Sequence, residues 1–367
     1  MTDAKIVARA ITELPPCALQ FHPVDTSLLV LGTYKLEEAT KTRHGSIDFY
    51  RFDPANPGAP LTLVRSHATP GSSILDVKIS QTDPWLLFTA QSTGSVIAWR
   101  LDPETLAVTA QTESQVADDP AVLVLSISFQ PQDGTIFSAT LSDGGVSVCK
   151  VAADGTITVL KQALTAHGAE AWISAFGTGD LGNTLFTGGD DSTLIAHDLR
   201  ELDTPAGAVW QSRRLHSGGI TSILPYGAVS TAGVRAWTPA GSAHRLWTGG
   251  YDDCLKSIDL RMVNNTLAAY SPPRVQSEMN LGGGVWRLVP GSSDTTGDRV
   301  VVCCMYDGGR IVEPFAESEE AEEPATVVKT IREGHTSMVY GADWSPDGKY
   351  VATCSFYDKA VQVWEST

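Results

Sequence analysis

Short apolar or alternating runs recur along the whole chain, each stopped by Gly, Pro, Asp or Ser. Leu28 to Gly32, Ile74 to Ser80, Trp85 to Ala90, Val122 to Pro131 and Ile136 to Thr140 are examples, and each has the length and bounding turns of a strand. The clearest unit closes the chain. It opens with Gly334-His335, continues as Val339-Tyr340-Gly341-Ala342-Asp343-Trp344, and stops in the turn Ser345-Pro346-Asp347-Gly348. A second strand then leads to Phe356-Tyr357-Asp358, and a third runs Val361-Gln362-Val363-Trp364.

That order of loop His, turn Asp and strand Trp is a WD repeat, the unit of a β-propeller, and units of this kind recur at the expected spacing of about 40 residues. The inner strands of six further units lie at Ala18 to Pro23, Ile74 to Ser80, Val122 to Pro131, His167 to Phe176, His216 to Leu224 and Gly282 to Val289. The pattern predicts an all-β, seven-bladed WD-repeat β-propeller spanning residues 1–367 as a single domain. Blade seven has only three strands before the chain ends, and Lys5 to Thr12 alternates as a strand should. The N-terminal strand 5–12 is therefore expected to close the ring as the outer strand of blade seven, removing exposed sheet edges. Three segments stand outside the pattern: a charged loop over 33–45, a Gly/Ala-rich insertion over 226–244, and an acidic loop over 316–324.

Composition narrows the classes. A chain of 367 residues with 33 Gly and 20 Pro suits many short strands joined by turns. A net charge of −16 argues against general binding to a phosphate backbone, which needs clustered Lys and Arg, and favours a basic protein or cationic group as partner. Cys17, Cys149, Cys254, Cys303, Cys304 and Cys354 form no CxxC pair and sit mostly in apolar runs, as reduced thiols of a cytoplasmic protein would. No run approaches the roughly 18 apolar residues of a membrane span, and no secretory signal opens the chain. The eight histidines show no metal-ligand spacing, and Gly282-Gly283-Gly284 enters a strand rather than a helix. No cofactor or metal is expected. A closed ring needs no second copy, so a monomer is expected.

Two constellations bear on chemistry. His335/Ser355/Asp358, His167/Thr187/Asp191 and His216/Thr248/Asp252 each imitate a hydrolase triad. Recurrence in three blades is what a structural network predicts, and the chain has no G-x-S-x-G elbow. The second constellation emerges from aligning the inner strands. The position of Tyr340 is Trp172, Thr221 and Trp286 in blades four to six, and Cys17, Leu75 and Leu125 in blades one to three. Three large aromatics thus gather on one arc of the channel mouth, with Arg287 next to Trp286 and Glu170 two residues before Trp172. Aromatic faces beside a carboxylate bind quaternary ammonium groups. Core packing between blades, or a protein-binding surface, would use the same residues.

The strings Glu170-Ala171-Trp172-Ile173-Ser174-Ala175-Phe176, Thr248-Gly249-Gly250-Tyr251-Asp252, Gly283-Gly284-Val285-Trp286-Arg287 and Val339-Tyr340-Gly341-Ala342-Asp343-Trp344, with Ser355-Phe356-Tyr357-Asp358, resemble the WD-repeat diphthine methyl esterase family, also called diphthine methyltransferase. The resemblance spans blades four to seven. Blade six departs from the WD pattern, with Leu281 where the loop His would stand. The resemblance implies a carboxylic ester hydrolase of diphthamide biosynthesis whose partner is translation elongation factor 2. Such an enzyme removes the methyl ester of methylated diphthine and releases methanol. Diphthine carries a trimethylammonium group, which the aromatic arc suits. On this expectation Trp172, Trp286 and Tyr340, with Thr221 at the same register, bind substrate. Arg287 stabilises the oxyanion, and His167 or Glu170 activates a water. The competing expectations are a non-catalytic WD-repeat scaffold and a trimethyl-lysine reader.

Overall fold

A computed structural model describes residues 2–201, 208–229, 236–239, 244–261, 273–291, 296–315 and 322–367. Their strands form seven sheets arranged as propeller blades. The innermost strands are Pro16–Phe21, Ile74–Ile79, Val124–Phe129, Ala171–Phe176, Ile220–Pro225, Val285–Pro290 and Val339–Trp344. Each packs against the inner strand of the next blade, the last against the first, so the ring is continuous. Second strands such as Leu28–Thr33 and Leu86–Gln91 are buried along their whole length. Sandwiched between blades, they have no solvated face, which is why their sequences are apolar runs rather than alternations. An outer strand such as Val108–Gln115 lies at the rim and is largely exposed.

The core is divided in the same way. Seven clusters of buried side chains fill the seven blade-to-blade contacts. Leu28, Val30 and Phe49 of blade one meet Ile74, Val77 and Leu87 of blade two, for instance. No blade buries its faces alone, so stability is a property of the closed ring.

Closure uses the N-terminus as the sequence predicts. Ile6–Ile11 pairs antiparallel with Ala360–Glu365, with Ala8 opposite Val363 and Ala10 opposite Val361. Ala8 is buried in the seam with Leu19, Phe21 and Leu31 of blade one. Two details depart from expectation. Thr2–Asp3 adds a short parallel strand to blade six. Segment 33–45 is not a plain loop: Lys35–Glu37 pairs with Thr42 to His44, extending the blade-one hairpin beyond the barrel of strands. Its charges sit on a two-stranded arm whose backbone groups bond to each other, so polarity alone did not exclude strand. Much of the 226–244 insertion and residues 316–321 of the acidic loop lie outside the described residues. Among the described residues no helix is long and apolar enough to cross a membrane.

The three triad-like sets tie loops to strands. His167 Nδ1 meets Asp191 at 3.0 Å and Nε2 meets Thr187 at 3.0 Å. His216 repeats this with Asp252 and Thr248, both at 2.8 Å. In blade seven His335 bonds Ser355 at 2.6 Å and Thr353 at 2.7 Å, and the Trp364 indole N–H also donates to Thr353. Each Asp also accepts a backbone N–H from the loop after its His: Gly168, Ser217 and Thr336. In each network both ring nitrogens of the histidine are engaged, which suits a tie between loop and strand.

Candidate functional site

Every blade carries the same irregularity at the start of its inner strand. Pairing with the second strand skips one residue: Cys17, Leu75, Leu125, Trp172, Thr221, Trp286 or Tyr340. A β-bulge leaves its extra residue unpaired and re-aims the side chain. Seven bulges at one level therefore present seven side chains at one end of the channel. Six of them (Thr221 excepted) line a cavity of about 190 Å³, joined by Arg287 and by Tyr34, Tyr251 and Phe356.

The rings make a continuous wall. Trp172 meets Trp286 edge-on at 5.4 Å, and Trp286 meets Tyr340 at 5.1 Å. Tyr251 lies 6.3 Å from Trp172 and 6.2 Å from Trp286, while Phe356 lies 5.4 Å from Tyr340 and 6.0 Å from Tyr34. Angled rings expose edges and faces from several directions, the geometry of an aromatic cage. Burial pushes the Tyr340 phenol up to about 12 and raises Tyr251 further, so both are neutral phenols at any physiological pH. The Trp286 indole N–H has no partner among the described residues. Leaving a buried donor unmet costs about 1–3 kcal/mol, a cost a phenylalanine there would avoid.

Arg287 is the third residue of its strand and reaches below the ring. Its guanidinium carbon sits 4.9 Å over the Trp286 ring. Its hydrogen bonds are long ones to the Thr221 and Trp286 carbonyls, at 3.5 and 3.4 Å, and no carboxylate pairs with it among the described residues. A half-buried cation without a counter-ion is a ready anion site. Arg287, Cys17 and Tyr340 also line a second chamber of about 220 Å³ that follows the inner strands toward their C-terminal ends. The three therefore form the neck between the two chambers.

The expected site residues divide accordingly. Trp172, Trp286, Tyr340 and Arg287 come together. Thr221 does not reach the cavity: it is fully buried, and its hydroxyl donates to the carbonyls of Val285 and Gly249. Blade five contributes Tyr251 in its stead. His167 lines neither chamber, and with both ring nitrogens engaged and its side chain sealed it cannot serve as a base for a substrate here. Glu170 lines neither chamber either. The carboxylate that touches the cage is Asp190, which accepts the Trp172 indole N–H at 3.1 Å. Cys17 is at the neck, but burial raises its thiol and it donates to the Ile74 carbonyl at 2.7 Å, which makes it a poor nucleophile.

Tyr34, Asp190, Tyr251 and Phe356 were missed from sequence. All four occupy one register position, immediately after the second strand of blades one, four, five and seven. The signal that marks them is the same blade period that groups the inner-strand positions.

The WD domain, G-beta repeat, matches residues 326–365. The chain is 31% identical to the diphthine methyltransferase of Saccharomyces cerevisiae over 408 aligned positions, covering 99% of this chain and 98% of the yeast protein. The chain belongs to the diphthine methyltransferase family. The diphthine methyltransferase of Schizosaccharomyces pombe is 29% identical, with 100% of this chain and 99% of that one covered. The human diphthine methyltransferase is 27% identical over 91% of this chain and 73% of its own length. A chain from the crystal structure of the mitotic checkpoint complex superimposes with a TM-score of 0.67 at 14% identity, over 100% of this chain and 93% of that one. That likeness speaks to the propeller fold alone.

Proposed function

We propose that this protein is a carboxylic ester hydrolase that removes the methyl ester of methylated diphthine on translation elongation factor 2, releasing methanol during diphthamide biosynthesis. The observation that carries the reading is the aromatic cage of Trp172, Tyr251, Trp286, Tyr340 and Phe356 with Arg287, which no carboxylate pairs among the described residues, at its floor. The cage takes the trimethylammonium group through cation–π attraction, worth about 0.5–2 kcal/mol per well-placed face. Asp190 beside Trp172 adds negative charge. Arg287 then faces the ester, where its N–H donors stabilise the oxyanion of the tetrahedral intermediate. Water is the nucleophile, because the site offers no activated serine or cysteine.

A trimethyl-lysine reader would use the same cage, but a positive charge at its floor would repel a ligand that carries only a cation. A ligand with an ester carbonyl beside the cation turns Arg287 from an obstacle into a second handle. The net charge of −16 draws a cationic substrate loop toward the mouth. The test is incubation of the purified chain with methyl-ester elongation factor 2, read by mass spectrometry. Loss of one methylene mass and release of methanol are expected. Stable binding with no mass change would favour the scaffold or reader.

A further inference from the structure

Ester hydrolysis needs a base and a water, and a protein substrate that plugs the cage shuts out solvent from that side. Resting on the reading above, we propose that Asp76 is the general base, acting on water that reaches the ester through the far chamber. Asp76 is the one carboxylate among the described residues that lines either chamber. It is the third residue of the blade-two inner strand, one residue below Leu75 of the cage. That level of the ring reads Ala18, Asp76, Ser126, Ile173, Ser222, Arg287 and Gly341 around the channel. It thus holds one anion and one cation, on opposite sides, among neutral residues. Asp76 shares the lining of the far chamber with Cys17 and Arg287, the two residues that continue through the neck into the cage.

The carboxylate is held firmly without being used up. Oδ1 accepts the Lys78 ammonium at 2.9 Å and the Val77 N–H at 3.0 Å, and Oδ2 accepts the Ile127 N–H of blade three at 2.9 Å. A carboxylate has about four acceptor positions, so one on Oδ2 remains for water. Ser128 and Gln81 add polar groups to the walls of the far chamber. In the step, the water oxygen attacks the ester carbonyl carbon while one of its protons passes to Asp76. The carbonyl π pair moves onto oxygen, beside Arg287. Collapse of the intermediate breaks the bond to methoxide, which takes the proton back from Asp76 and leaves as methanol. The new carboxylic acid then loses its own proton to solvent.

The bland role for Asp76 is to staple blades two and three through Ile127. Asp76→Asn separates the two roles, since the amide oxygen still accepts that N–H but cannot take a proton from water. In the full-length protein, D76N is expected to lower kcat for demethylation about 100-fold or more, within the range general bases contribute. The affinity of the cage for tetramethylammonium, followed by tryptophan fluorescence, should stay unchanged. Added formate should restore part of the rate in Asp76→Ala, a rescue that a structural staple would not show. A D76N rate within about threefold of an active wild type overturns the assignment and leaves the ester reading standing. An inactive wild type overturns both. Should D76N melt early, Ser128→Trp decides the same point by filling the far chamber: a lost rate with tetramethylammonium affinity kept supports the route, and a full rate overturns it.

Discussion

Arg287 and Trp172 carry separable parts of the account. On the proposed reading Arg287→Ala removes an oxyanion donor, and a loss of about 100- to 1,000-fold in kcat with little change in KM is expected. Trp172→Ala removes a cage wall, and a rise in KM of about 3- to 30-fold is expected with kcat less affected. Steady-state kinetics on methyl-ester elongation factor 2 measures both. His335 makes a prediction about stability. Burial pushes its ring down to about 4. The folded chain therefore keeps the ring neutral where the unfolded chain, near 6.5, takes up a proton. The stabilisation is complete above about pH 6.5 and is lost as pH falls toward 4. Thermal melts over that interval should decline less steeply in His335→Asn than in wild type, once each is referred to its own value at pH 7.5. The aromatic arc was legible in the sequence because a bulged position repeats with the blade period. Asp76 was not, because a lone Asp in a strand carries no pattern, and only the channel shows that no other described carboxylate reaches it.

At the level of elements, the strands were the readable part. Apolar runs such as Leu28 to Gly32 have no alternation to mislead, and Gly, Asp and Pro mark their ends. The His–hydroxyl–Asp sets were also readable as scaffolding, because a structural requirement recurs and a catalytic one does not. His167 shows the limit of that reasoning. It belongs to such a set, yet it also stood as a candidate base, and only the side-chain geometry shows both ring nitrogens engaged and the side chain sealed. Thr221 failed for a related reason: register places a Cβ, while size decides whether a side chain arrives. The closing strand yields an element-scale prediction. Removal of residues 2–12 uncovers the edge of Ala360–Glu365 and the seam around Leu19, Phe21 and Val363. The truncated chain should melt at least about 5 °C lower and self-associate, by calorimetry and size-exclusion chromatography.

For the whole molecule, the propeller converts a modest repeat into a site. Seven bulges point at one axis, so substitutions far apart in sequence, Trp172, Trp286 and Tyr340, become one wall. The inner strands below them form a second chamber, which on the proposed reading lets solvent and the substrate chain approach from opposite ends. The acidic surface acts over a longer range. If it steers a cationic substrate, kcat/KM should fall several-fold between low and about 0.5 M salt while kcat holds, since screening weakens encounter and not the bound complex. The central claim is that this ring performs an ester hydrolysis. Intact-mass analysis of methyl-ester elongation factor 2 incubated with the wild-type chain and with Arg287→Ala tests it most directly. The account predicts loss of one methylene mass with wild type and little or none with R287A in the same time. An unchanged mass with wild type, or equal loss with both, would contradict it.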